Sequence, residues 1–120
     1  HEALRQELHR TAGHVAWWGQ EVARLEATAA KDGGGLFDAD GHLRPALLNY
    51  QAERKHFESV AKTCITCGIA ERYVKEVEKW GHIFAQAMRG FAQELGHDPI
   101  DREVVAVMRR HLAMASEQAA

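Results

Sequence analysis

The sequence predicts an all-α fold: one long helix packed on an antiparallel helical hairpin, followed by a short C-terminal helix, in a single domain spanning 1–120. Three observations predict it. Apolar residues recur at alternating steps of three and four in three long segments, the spacing of one helical face. Glycine and proline punctuate the boundaries between those segments. The chain's 120 residues, 46% hydrophobic and 27% charged, suffice for one compact core and leave no room for a second domain.

The first helix, residues 2 to 30, places Leu4, Leu8, Thr11, Val15, Trp18, Val22 and Leu25 on a coiled-coil-like seam. Gly13 interrupts it at a cost of about 1 kcal/mol relative to alanine, without breaking the pattern. Residues 31 to 44 form a glycine-rich linker. Within it Asp40-Gly41 is a favoured two-residue turn flanked by Leu36, Phe37 and Leu43, compatible with a small β-hairpin arm. Pro45 suits the first turn of a second helix, whose stripe of Leu47, Tyr50, Phe57, Val60 or Ala61, and Cys64 runs to about residue 67. Gly68 stops it. The third helix, about 70 to 95, carries Tyr73, Val77, Trp80, Phe84, Met88, Phe91 and Leu95 and ends at Gly96. The turn at Gly68 is so short that the second and third helices, 45 to 95, must form an antiparallel hairpin with the first helix packed on it. Asp98 as cap and Pro99 at the first position start a short fourth helix, 99 to 115, with Val104, Val107, Met108, His111 and Leu112 on its apolar face.

The formal charge of -2 supplies no overall basic field, so any nucleic-acid contact must use local patches. No apolar run is long enough to span a membrane and no signal peptide is present; with two cysteines, the chain reads as soluble and intracellular, without a membrane partner.

Cys64 and Cys67 form the one C-x-x-C. A helix ending at Gly68 puts both in its last turn, where the negative end of the macrodipole disfavours a thiolate, so a redox role is not expected. Zinc needs four ligands, and neither a second C-x-x-C nor an H-x-x-x-H is present; His56 and His82 are the nearest conceivable additions. The better reading is a Schellman cap, with Gly68 left-handed, Ile69 folding back on Cys64, and both cysteines serving as small core residues.

Gly33-Gly34-Gly35 lacks the Lys-Ser/Thr of a phosphate loop, and Asp38-Ala39-Asp40-Gly41 lacks calcium ligands at Leu36 and Leu47, where a calcium loop needs its first and last. The eight histidines are dispersed and read mostly as surface or boundary residues. No nucleophile with an ordered base stands out, so the chain is expected to be no enzyme and to use no metal or cofactor. Trp17 and Trp18 point about 100° apart and cannot share one narrow seam; Ile83 beside Phe84 repeats the pattern. Trp17, Trp18, Trp80 and Ile83 are therefore candidate subunit-interface residues, the alternative being a core widened by the fourth helix. Gly81 and Gly90 would let neighbouring backbones approach closely.

Basic residues cluster at Arg54-Lys55 with Lys62, at Arg72, Lys75 and Lys79, and at Arg109-Arg110, each interleaved with glutamates that make a solvated face the default. Tyr50-Gln51-Ala52-Glu53-Arg54-Lys55-His56 followed by Lys62, then Cys67-Gly68-Ile69-Ala70-Glu71-Arg72-Tyr73-Val74, resembles the small terminase subunits of tailed phages and prophages of actinobacteria. The resemblance centres on 47 to 95 and extends more weakly to Thr11-Ala12-Gly13-His14-Val15 and Arg109-Arg110-His111-Leu112. The chain departs from the family's pattern at Cys64, Cys67 and Trp80-Gly81-His82.

The resemblance implies a non-catalytic, ring-forming DNA-packaging component in the host cell cytoplasm. It would recognise double-stranded viral DNA and regulate the large ATPase-nuclease subunit. Such proteins commonly carry a helix-turn-helix ahead of the oligomerisation helices. It is expected either before His1, or to be replaced by basic residues of the helical core, for which Arg54, Lys55, Lys62, Arg72, Lys75, Arg109 and Arg110 are the candidates. The alternative is a helical interaction module that docks a protein partner and never touches DNA.

Overall fold

The computed structural model describes residues 1–32, 37–38, 41 and 44–120, with the backbone alone for 29–32. Four helices follow in order: α1 (Glu2–Asp32), α2 (Pro45–Thr66), α3 (Glu71–Glu94) and α4 (Arg102–Ala119). No β-strand is formed among the described residues. The expected β-hairpin over 36–43 lies largely outside them; of that segment Phe37 is exposed, and the Gly41 N–H donates to the Asp38 carbonyl at 3.1 Å.

At 1.5 Å per residue α1 is about 46 Å long, and the longest dimension of the molecule is 47 Å. The helix is the axis of the fold. Its N-terminal half, through Leu8 and Ala12, packs with Val60 and Cys64 late in α2 and with Val74 and Val77 early in α3. Its later part, through Trp17 and Trp18, packs with Ala46 at the start of α2, Ala85 in α3, and Val105, Met108 and Leu112 of α4. α1 thus runs antiparallel to α2 and parallel to α3. α2 and α3 diverge and touch at few points, because α1 lies between them rather than on top of a closed hairpin.

Small residues make this insertion feasible. A Cβ at Gly81 would stand 2.6 Å from the Ala12 carbonyl carbon, so α1 and α3 meet backbone to backbone there. A Cβ at Gly13 would stand 2.4 Å from a Leu112 methyl, so this glycine is the notch that seats α4. Gly90, in contrast, has nothing within 4 Å of such a Cβ among the described residues.

The buried face of α3 is rotated by about one residue from the expected stripe. Val74, Val77, Gly81, Ala85, Arg89 and Ala92 face inward, Tyr73, Trp80, Phe84 and Met88 flank them, and Phe91 and Leu95 are exposed. The face with the smallest side chains wins because it allows the closest approach to α1. On α4 the inward residues are Val105, Met108, Leu112 and Ser116, while His111 and Val107 are exposed.

The caps explain the boundaries. Gly68 has φ +93°, its N–H donates to the Ile65 carbonyl, and Ile69 N–H reaches the Cys64 carbonyl at 2.9 Å. That is the Schellman pattern, closed by contact between buried Ile69 and Cys64. Cys67 departs from the expectation: it is the C-cap residue and is exposed. Gly96 (φ +81°) ends α3 in the same way, with His97 N–H on the Ala92 carbonyl. α4 begins at Arg102 rather than 99, since Asp98 accepts from the Ile100 N–H and closes a turn over 98–101 instead of capping a helix at Pro99. It then runs to Ala119, past the expected 115.

Candidate nucleic-acid interface and an adjoining groove

All seven basic candidates, Arg54, Lys55, Lys62, Arg72, Lys75, Arg109 and Arg110, are exposed. Their helical positions explain this: Lys55 and Lys62 are two turns apart on the side of α2 that faces away from Val60 and Cys64. The fold does not gather the seven into one patch. Arg54 donates to the Tyr50 hydroxyl at 2.9 Å and pairs with Glu58 at 3.4 Å, and these partners hold its pKa up. Arg109 and Arg110 stand on α4, which packs on another side of α1, against Gly13 and the Trp17 cluster.

Between the diverging helices runs an open groove of about 790 Å³. Ala12, Ala16, Gly19 and Ala23 of α1 form its floor; Tyr50, Arg54 and Phe57 line the α2 wall, and Lys79, His82 and Ile83 the α3 wall. Gln20 donates to the His82 carbonyl across the floor at 3.3 Å. One candidate, Arg54, therefore borders this groove, with Lys79 on the opposite wall.

Of the four expected interface residues, two belong elsewhere. Trp17 is 0% exposed and Trp18 is 7% exposed inside one chain, because α4 widens the core around them. Trp80 is half-buried, stacked on Phe84 with ring centroids 5.6 Å apart. Only Ile83, 65% exposed, stands free of the core.

The main polar features were not legible from local sequence. Arg89 is buried in the α3 face, where its Nη2 donates to Glu21 Oε1 at 2.6 Å, its Nη1 to the Trp17 carbonyl at 3.3 Å, and its guanidinium lies 5.1 Å from the Trp17 ring centroid. Arg24 completes the site from the solvent side, with Nε 3.1 Å from both Glu21 oxygens. Burial works to raise the Glu21 pKa, but the hydrogen bonds from Arg24 and Arg89 outweigh it and hold the carboxylate below its ordinary value. A buried carboxylate with two guanidiniums is a structural clamp, since a lone buried charge would cost several kcal/mol. The one local hint was the Glu21, Arg24 spacing on a single helix face.

A second network joins α1 to α2 crosswise. His56 Nε2 lies 2.8 Å from Glu7 Oε1, and His14 Nδ1 lies 3.4 Å from both Glu53 Oε1 and Arg10 Nη1. Glu7 also pairs with Arg10. The Arg10 hydrogen bond, ahead of that from His56, lowers the Glu7 pKa from 4.5 to about 2, and the His14 hydrogen bond lowers that of Glu53. His14 and His9 are buried, the exceptions to the surface or boundary positions expected of most histidines. His9 packs edge-on against Trp80 at 4.9 Å and Tyr73 at 5.9 Å.

Burial pushes the Cys64 thiol pKa up, which opposes a reactive thiolate. Among the described residues, no three His, Cys, Asp or Glu side chains gather as metal ligands. No helix is long and apolar enough to cross a membrane among those residues. Comparison with family models, curated proteins and solved structures finds no match to the chain.

Proposed function

We propose that the chain is a non-catalytic DNA-packaging component of the small terminase type, which self-associates, binds duplex DNA and regulates a large ATPase-nuclease subunit. The observation that carries the reading is the ordered resemblance over 47 to 95. Several of its motif residues have jobs inside the fold: Tyr50 packs over Gly19, Glu53 pairs with His14, Gly68-Ile69 form the cap and Val74 enters the core. The motif's basic residues Arg54, Lys55, Lys62 and Arg72 point outward, as does Lys75 just beyond it, with Glu71 exposed among them. This division supports a scaffold that presents charge to a polyanion.

Salt-dependent binding tests it. Duplex affinity is expected to fall linearly on a log–log plot against salt, with a slope of about -0.9 per phosphate neutralised. Reversing Arg54 and Lys55 to glutamate should weaken binding and make that slope shallower. Retention of full affinity and slope in this variant would remove both residues from the interface, and no binding at low salt would sink the DNA reading.

The groove between α2 and α3 favours a second reading, a helical module that docks a protein partner. Its small-residue floor, with Phe57 and Ile83 facing each other among polar wall residues, suits an amphipathic helix from another protein. Absence of DNA binding together with intact partner capture would select it.

A further inference from the structure

Apolar residues on the outer side of α3, from half-buried Trp80 to exposed Ile83 and Ala87, are not scattered. Trp80, Ile83, Ala87 and Gly90 follow one another at steps of three, four and three, the spacing of a coiled-coil seam on the side of α3 away from Ala85. Phe91 (63% exposed) lies beside this seam on the side toward α4, and Lys79 and Glu94 mark its two ends. Gly90 is the telling residue. It sits inside a helix, where glycine is unfavourable relative to alanine, yet nothing among the described residues occupies the space above it.

We infer that this outer face of α3 pairs with the same face of a second copy of the chain, antiparallel and about a twofold axis beside Gln86 and Ala87. The register follows from self-complementarity. Setting Ile83 of one copy over Gly90 of the other brings Lys79 opposite Glu94, and the symmetry repeats both contacts. An exposed isoleucine fills an open notch, and unlike charges meet at both ends. Lys79 has only a weak, exposed partner to give up, Glu76 at 3.4 Å. The paired stretch, Lys79–Glu94, is about 24 Å long, which suits a modest, concentration-dependent dimer rather than an obligate one. The inference goes beyond the packaging reading and does not depend on DNA binding. It retains Ile83 and Trp80 from the expected interface set and leaves Trp17 and Trp18 in the core.

Light scattering behind size exclusion, from about 10 μM to about 1 mM, is the test. The expected mass rises from that of one 13.4 kDa chain toward that of two, and Ile83→Asp holds it at one. Lys79→Glu and Glu94→Lys should each weaken dimerisation about threefold, and the double exchange should restore it. In a Cys67→Ser background, Ala87→Cys should crosslink to its own copy under mild oxidation, whereas a cysteine at exposed Gln51 should not. A wild-type chain that stays monomeric throughout would overturn the proposal. So would any assembly, ring or dimer, that survives Ile83→Asp and ignores both charge reversals, even with DNA binding intact.

Discussion

Glycines at 13, 81 and 90 look alike in sequence, each interrupting a helical run, and they do three different things. Gly13 seats a leucine, Gly81 lets two backbones touch, and Gly90 is open. Their substitutions should separate accordingly in urea unfolding at micromolar protein. Gly81→Ala must push α1 from α3 and is expected to cost about 1–3 kcal/mol. Gly90→Ala removes backbone freedom from the unfolded chain without a clash and should stabilise the monomer by about 0.5–1 kcal/mol. Equal effects at the two sites would contradict the α1–α3 contact described above. The tryptophan pair shows the same limit of local reading. Periodicity said that Trp17 and Trp18 could not share a seam, but left open whether a subunit interface or a core widened by the fourth helix would cover the second one.

Among the elements, charge ties α1 both to α2, through His56–Glu7 and His14–Glu53, and to α3, through Arg89–Glu21. Glu7 is lowered from 4.5 to about 2. Its contribution is therefore fully present above about pH 4.5 and lost as pH falls through about 2. Glu53 and Glu21 are shifted in the same direction and add to the same acid-side loss. Urea midpoints measured from neutral pH downward should decline across this window. Glu7→Gln should be less stable than wild type at neutral pH, with the difference vanishing near pH 2. A constant difference across the titration would mean that Glu7 acts through packing rather than through its carboxylate.

In the whole molecule, one helix is shared by every other element. α1 contacts α2, α3 and α4, while α2 and α3 scarcely contact one another, so loosening any partner exposes the common axis. Leu112→Ala empties the notch over Gly13 and is expected to cost about 2–5 kcal/mol. Because Trp17 and Trp18 lie beneath the same helix, tryptophan fluorescence and far-ultraviolet circular dichroism should report one coincident transition for the wild type and for this variant. Separate transitions would mean that α4 unfolds as an independent unit.

Helix number, order and most boundaries follow from the sequence alone, because they rest on local physics: the 3.6-residue period, proline at position 45, and left-handed glycines at 68 and 96. The seam of α1 is of this kind because the period alone sets which residues share a face, and the Schellman cap at Cys64 to Ile69 because its partners lie within a few residues. Only the tertiary structure decided what each face meets. The inward face of α3 was chosen by close approach at Gly81 and Ala85 rather than by the largest apolar side chains. Arg89 is inside because Glu21, 68 residues away in sequence, is there to receive it. The seven basic candidates were legible as outward residues, but not that they stand on separate surfaces, which depends on how α4 sits on α1. Local spacing sets where side chains point along a helix; only the packing of helices on one another sets what they point at.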